Sequence, residues 1–476
     1  MHPPELRSLT ILFALAAALL ASSCAEENKG RAHPTDRLHF PVAVTADPSG
    51  EYLYVVNSNF DVRYRTGSVI AIDLATHELV PSSAAGIGHF GGELSLYETD
   101  DPNHRLVGYV PSRSDGALYW FEVSGGENGE PPQLTCRTTP GRDGEIPECD
   151  SAYRISSATR KRLPNDDVGL TDDQIEEAAG EPVDMEVGLD AFGTDIYRGK
   201  NGVGDYLLVA NPRSGRLAVF DIGGEVPVDP NETGQPADSD DGTNFALRSE
   251  LGEPVFVESL LLGSGTYDVS VAPLDATAYA TNRFANVLVP FRFNEIADPD
   301  GEARTWPEPD GLGAFAISNS TSLGDYGRTL AFNADGTRAY LAYRNPSSLV
   351  VVDTRPDDDG KNFDRFIAAV DLGVGPSKIL RAPSGPDGAD LLYVVCYYDE
   401  QIYVVNPETL IVEDIIDVPG GPFDATVVHA PVHDRFRLYV TAFEYDAIAV
   451  IELDREKPFF HEIIAYIRGR DDEGAH

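Results

Sequence analysis

Seven times along this chain of 476 residues a pair of short apolar runs returns. The first runs read YLYVVN, LVGYVPS, YLLVAN, AYATN, AYLAY, LYVVC and LYVT, anchored at Tyr54, Tyr109, Leu208, Tyr279, Tyr340, Tyr393 and Tyr439. Their partners read SVIAIDL, ALYWFEV, RLAVFDI, VLVPFRF, LVVVDT, IYVVN and AIAVIEL. Runs of this length, rich in Val, Ile, Leu, Tyr and Phe, are strands. A unit that buries only one face must stack on its copies, so the repeat predicts a single body rather than the three domains that length alone would give.

Each repeat carries two further strands. In the sixth, SKILRAP (from Ser377), LLYVVCYY (from Leu391), QIYVVN (from Gln401) and LIVEDIIDV (from Leu410) are separated by SGPDG, YDE and NPET, which are turn sequences. The seventh reads PFDATVVHAP, FRLYVTAF, AIAVIEL and FHEIIAYI. This predicts an all-β fold, a seven-bladed β-propeller with four-stranded antiparallel blades, in which radial closure protects the sheet edges. The anchor spacing ranges from 99 residues (Tyr109 to Leu208) to 46 (Tyr393 to Tyr439). A bare blade needs about 40–45. The excess is placed after the third strand, in Ser124 to Gly180, Gly223 to Glu253, Asn294 to Gly313 and Arg355 to Asp364. Within the first of these, TDDQIEEAAG reads as a short helix with Thr171 and Gln174 as a capping box. All third-to-fourth connections leave a propeller on one face, so these inserts would raise an acidic wall there, where binding loops of repeat folds gather.

The segments GPFD ahead of LYVT and GPSK ahead of LYVV resemble the YVTN-type propeller repeat of bacterial surface and periplasmic proteins, with coverage from about Phe40 to Ile467. The resemblance implies the fold and an extracytoplasmic address. Some YVTN-like propellers resemble lactonases and quinoprotein-type dehydrogenases, which implies a place to look, the central channel, but propellers host unrelated tasks.

The first residues agree with that address. Residues 1–23 read as an export signal, with Arg7 before the apolar stretch LTILFALAAALL, which is too short to span a bilayer as a helix. Ala21, Ser22 and Ser23 before Cys24 resemble the lipobox of bacterial lipoproteins, with Leu20 one place early. The resemblance implies cleavage before Cys24, acylation of that cysteine and, with Ala25 following, the outer membrane. Residues 24–37 read as a flexible tether, 38–468 as the propeller and 469–476 as a disordered tail. The chain carries a net charge of −42, which removal of the signal leaves unchanged. A phosphate backbone would be repelled, so nucleic acid is excluded as a partner, while cations are favoured.

Four residue groups could carry chemistry. Alignment of the innermost strands on the small residue at their start puts Ala43, Glu93, Asp184, Asp268, Arg328, Lys378 and Asp424 at one equivalent position. This is either a charged ligand ring lining the channel or a self-paired ring that fixes the blades. The acidic loops hold Asp238, Asp240 and Asn244 in DSDDGTN, Asp357, Asp359, Asn362 and Asp364 in DDDGKNFD, and Asp298 and Asp300 in DPDGE. Such loops suit calcium, but they lack the full EF-hand spacing and read more readily as surface turns. His429 and His433 are split by Pro431 in a turn, and His89 and His104 stand alone. In an exported chain Cys136 and Cys149, 13 apart, predict a disulfide, and Cys396 a buried thiol. Nucleophile elbow, Walker, HExxH and dinucleotide motifs are absent. The expectation is a lipid-anchored binding or scaffolding module of the cell envelope, with a protein, glycan or cation on the insert face. The alternative is a propeller enzyme at the channel, which loses ground if the ring charges pair with one another.

Overall fold

Each anchor residue of the repeat is a wedge between its own blade and the next. Tyr54 packs with Leu106, Val110 and Phe121 of blade two, and Tyr109 with Leu207, Val209 and Phe220 of blade three. Leu208, Tyr279, Tyr340 and Tyr393 do the same at the following junctions. Tyr439 of blade seven packs with Leu53, Val55 and Ile70 of blade one, which closes the ring. All seven are fully buried. Burying each is worth about 1.5–3 kcal/mol, so the repeat is a set of inter-blade cores before it is a set of strands.

The computed structural model describes residues 31–99, 105–126, 129–138, 146–156, 190–199, 205–223, 225–228, 244–247, 252–273, 277–297, 303–311, 315–316, 325–355, 365–385, 388–430 and 435–469. They form seven antiparallel blades, each from one continuous stretch, with four strands in sequence order from axis to rim. The innermost strands are Pro41–Ala46, Ser95–Glu98, Thr194–Tyr197, Thr266–Val271, Asp325–Phe332, Pro376–Pro383 and Pro422–Ala430. Because no blade is shared between the termini, side chains and backbone tie the last blade to the first. Val44 N donates to Asp424 Oδ2 (2.9 Å), Arg435 Nη1 to the Gly50 carbonyl (2.6 Å) and Leu38 N to the Arg468 carbonyl (3.2 Å).

Two expectations change. The large insertion of blade two does not simply follow its third strand but splits the fourth. Gln133–Thr135 pairs with Glu122 to Ser124, and Arg154–Ser156 pairs with Ala117 to Tyr119 further along the same strand. The Cys136–Cys149 disulfide joins the two halves, as the spacing predicted, and Cys149 N donates to the Gly86 carbonyl of blade one. Within the stretch read as a tether, residues 31–37 are packed. Arg31 bridges to Tyr64, Arg65 N donates to the Arg31 carbonyl (2.9 Å), and His33 is buried.

The innermost strands of blades one, four, five, six and seven share a register shift at their start, between Pro41 and Ala43, Thr266 and Val269, Gly327 and Leu330, Pro376 and Lys378, and Pro422 and Ala425. A bulge bends the strand and lets consecutive side chains, not alternate ones, reach the axis. Second strands end and first strands begin on one face, the upper face; the third-to-fourth connections lie on the lower one.

Candidate functional site

The strand pairings place Ala43, Glu93, Asp268, Lys378 and Asp424 at equivalent positions, as the sequence alignment had them. Two assignments are corrected. Asp184 lies outside the described residues, and the register of blade three, with Thr194 opposite Val209, gives that position to Gly193. In blade five Leu330 lies opposite Leu341, so the equivalent residue is Thr329 and Arg328 stands one place nearer the upper face. Gly193 has a steric reason: a Cβ there would lie 2.6 Å from Asp268 Cα and Oδ1.

These charges are not an open funnel. Lys378 of blade six reaches across the axis to Glu93 of blade two, with Nζ 2.7 Å from Oε1 and 3.6 Å from Asp424 Oδ1. Burial works against the ammonium, but Glu93, Asp424 and Asp268 outweigh it and raise its pKa. Asp268 is driven well above the ordinary carboxyl range by burial and by Glu93, with Lys378 opposing. Asp424 is pushed up to about 6 by burial, with Lys378 opposing and Glu93 assisting. Asp195, which accepts from Val271 N (2.8 Å), is likewise pushed up to about 6 by burial. The central cluster is therefore self-paired, and the ligand reading of the ring falls for these residues.

The signs give a pH dependence. A carboxyl with a raised folded pKa stabilises fully below its unfolded value and loses that contribution as pH rises through the folded value. For Asp424 the window runs from about 4 to about 6. His33, held down at about 4 by burial, acts oppositely as pH falls below its ordinary value, so the clean comparison is between variants. Asp424→Asn keeps an acceptor for Val44 N and cannot ionise. The denaturation midpoint of this variant is expected to equal or exceed wild type at pH 7.5, with the difference closing at pH 4.5. A less stable variant at pH 7.5 would contradict the assignment.

Above this cluster the mouth divides into two halves. Four residues beyond each anchor, at the tip of the second strand, stand Ser58, Arg113, Pro212, Arg283, Arg344, Tyr397 and Phe443. Arg113, Arg283 and Arg344 from blades two, four and five surround Arg328. Arg328 is 6% exposed and lies over the Tyr267 ring (4.1 Å), and its Nε has no hydrogen-bond partner. Burial lowers its pKa to about 10; Tyr267 opposes this and the three neighbouring guanidinium groups add to it. Arg113 pairs with Asp190 (2.5 Å) and Arg344 Nε donates to the Pro376 carbonyl (2.8 Å). Arg283 rests against Tyr267 and Tyr326, its Nε also unpartnered. Blades six, seven and one fill the other half with aromatic rings. Tyr397 lies 6.2 Å from Phe423 and 6.4 Å from Phe443, Phe443 lies 5.6 Å from Phe60, and Phe192 meets Phe423 across the axis at 6.2 Å. Among the described residues no carboxylate pairs with the buried Arg328 guanidinium, although the chain as a whole carries a net charge of −42.

Of the other sequence candidates, those described lie apart from this site. Asp238, Asp240, Asp298, Asp300, Asp357, Asp359, Asn362, Asp364, His104, His433 and Cys24 lie outside the described residues, as does the 171–180 segment. Asn244 opens the hairpin strand Asn244–Leu247, its side chain also outside them. His429 packs on Phe436 (4.7 Å) and His89 bonds to Asn59 (2.9 Å). Among the described residues no three His, Cys, Asp or Glu side chains converge as a metal site.

No protein-family model and no curated protein matches the chain. Its structure is similar to that of a periplasmic gluconolactonase from Pseudomonas aeruginosa, at 15% identity and a TM-score of 0.48 over 82% of this chain and 89% of the other. It is similar to hydrazine synthase from Kuenenia stuttgartiensis, at 13%, 0.48, 89% and 98%. A third similar structure, from Bacteroides uniformis, is provisionally assigned as a 6-phosphogluconolactonase, at 13%, 0.47, 79% and 85%. At such identities the likeness is one of fold, and the fold is what the strands show: the chain is a seven-bladed β-propeller.

Proposed function

We propose that this protein is a lipid-anchored propeller of the bacterial envelope that binds a small amphiphilic anion, a carboxylate or phosphate with an apolar body, at the upper mouth of its channel. The YVTN-like repeat and the lipobox-like segment ending at Cys24 support the address. The observation that carries the binding reading is Arg328, buried and stacked on Tyr267 with no counter-ion among the described residues. Arg283 and Arg344 would share the anionic end of the ligand and the rings of Tyr397, Phe423 and Phe443 its apolar body. A protein or glycan on the lower-face inserts is a separate proposal, which nothing on the upper face opposes.

The test is a thermal-shift series at constant ionic strength with octanoate and phenyl phosphate against acetate, inorganic phosphate and chloride. The amphiphilic anions are expected to raise the melting temperature; at 100-fold excess over Kd a ligand adds about 2.7 kcal/mol. Arg283→Ala is expected to abolish the increment. Equal effects of all five salts would refute the site.

The pairing of the ring counts against the enzymatic alternative, and one observation keeps it as a second reading. Asp268, whose carboxyl burial and Glu93 drive toward its neutral form, directly follows in sequence Tyr267, the residue that carries Arg328. A neutral carboxyl group near an anion site would have the parts for general acid catalysis, as in lactone opening. Turnover of a lactone panel that is lost in Asp268→Asn, with octanoate binding retained, would establish it.

A further inference from the structure

Thirteen large apolar side chains are exposed among the described residues, and eight of them lie on the upper face. They include Phe60, Val62, Phe284, Val374, Tyr398 and Tyr445, at 59%, 55%, 56%, 53%, 66% and 47% exposure. They sit on five different connections around the mouth, so exposed apolar tips gather on one face of a strongly acidic chain. Such a gathering points to a contact surface.

The chain itself indicates one. The described residues begin at Arg31, which bridges to Tyr64 in the same blade-one loop that presents Phe60 and Val62. Cys24 is seven residues upstream. A fully extended segment of that length reaches about 25 Å at most. A blade strand of six residues is itself about 20 Å long. Passing down the side of blade one would consume most of that reach, so a lipid on Cys24 favours holding the upper face, rather than the lower, near a membrane.

We infer that the anchored protein lies with its upper face against the bilayer, the exposed aromatic tips seated among phospholipid headgroups. Tyr and Phe at loop tips suit that boundary, where an apolar body meets a wet edge. The net charge of −42 opposes an anionic surface, so the occupant is a zwitterionic one. The mouth would then open toward the membrane, the place where an amphiphilic anion is concentrated. The inference rests on the lipid-anchor reading of Cys24.

The experiment separates the two. The chain beginning at Cys24 is coupled through that thiol to maleimide-bearing lipid in phosphatidylcholine vesicles with brominated acyl chains; Cys136 and Cys149 are in a disulfide and Cys396 is buried. Phe60→Trp and Tyr445→Trp report the upper face and Phe459→Trp, 63% exposed, the lower one, with Trp120 and Trp306 common to all three. Blue-shifted, bromine-quenched emission is expected from the two upper-face reporters and none from Phe459→Trp. Equal quenching on both faces, no quenching on either, or an untethered dimer that shields Phe60 would overturn the inference. The anchor is judged apart, by palmitate labelling in cells: loss of label in Cys24→Ala supports it and equal labelling overturns it.

Discussion

Lys378→Met is expected to lose about 3–5 kcal/mol of stability at pH 7.5, the cost of breaking a buried ion pair by removing one partner. Among the described residues the ammonium is the cation bonded to the carboxylates at the axis. It bonds Glu93 from the opposite side of the ring and lies beside Asp424, while Asp268 depends on it at longer range. Methionine fills much the same space, so packing changes little and the loss reports charge. Without Lys378 the remaining carboxyl groups repel, and their folded pKa values rise further. Groups with raised folded values stabilise below the unfolded value and lose that contribution as pH rises. The deficit should therefore be small near pH 5 and full at pH 7.5, and the Lys378→Met/Glu93→Gln double variant should recover most of it. Denaturant midpoints at the two pH values decide: a deficit independent of pH would mean that Lys378 acts only by packing.

That prediction treats the ring as structural, which the sequence could not settle. What the sequence did specify follows from local geometry. Tyr54 and its equivalents are periodic because each must wedge one junction, so the period reads directly as blades. Glu93, Asp268, Lys378 and Asp424 could be aligned because a small residue and a bulge recur at the strand start. The alignment failed where the equivalent position holds no charge. In blade three it is Gly193, which yields its space to Asp268, and in blade five, whose bulge matches those of blades four and seven, it is Thr329, with the charged Arg328 its neighbour in sequence. Whether charges pair across an axis depends on blade two meeting blade six, 285 residues apart. No local pattern carries that information.

The mouth was legible in part and overlooked. Counting four residues on from each anchor yields Arg113, Arg283 and Arg344, then Tyr397 and Phe443, a division of charge and aromaticity by blade number. Attention to the long inserts pointed to the lower face. The informative residues belong to the short upper connections, where tight turns between second and third strands fix side-chain direction and leave little room for insertion. Arg328 itself has no such signature. It matters because Tyr267 of the neighbouring blade lies beneath it and because no acid among the described residues pairs with it.

Arg328→Met is expected to behave as the reverse of Lys378→Met. Replacing a buried, unpaired guanidinium by an apolar chain of similar length removes a desolvation cost and the repulsion from Arg344, Arg283 and Arg113. Methionine can keep the contact with the Tyr267 ring. The free protein should gain about 1–3 kcal/mol. The same change should weaken octanoate and phenyl phosphate roughly 10- to 100-fold, the worth of a charge-assisted hydrogen bond. Arg328→Lys should fall between, retaining charge but not the planar fork that grips two oxygens and stacks on a ring. Thermal melts without ligand and titrations with it are measured on the same three proteins. A stability gain joined to a binding loss is the signature of a residue kept for its ligand against its own interest in the fold. If Arg328→Met instead loses stability and binds as before, the guanidinium is a structural part of the collar and the anion site is not at this mouth.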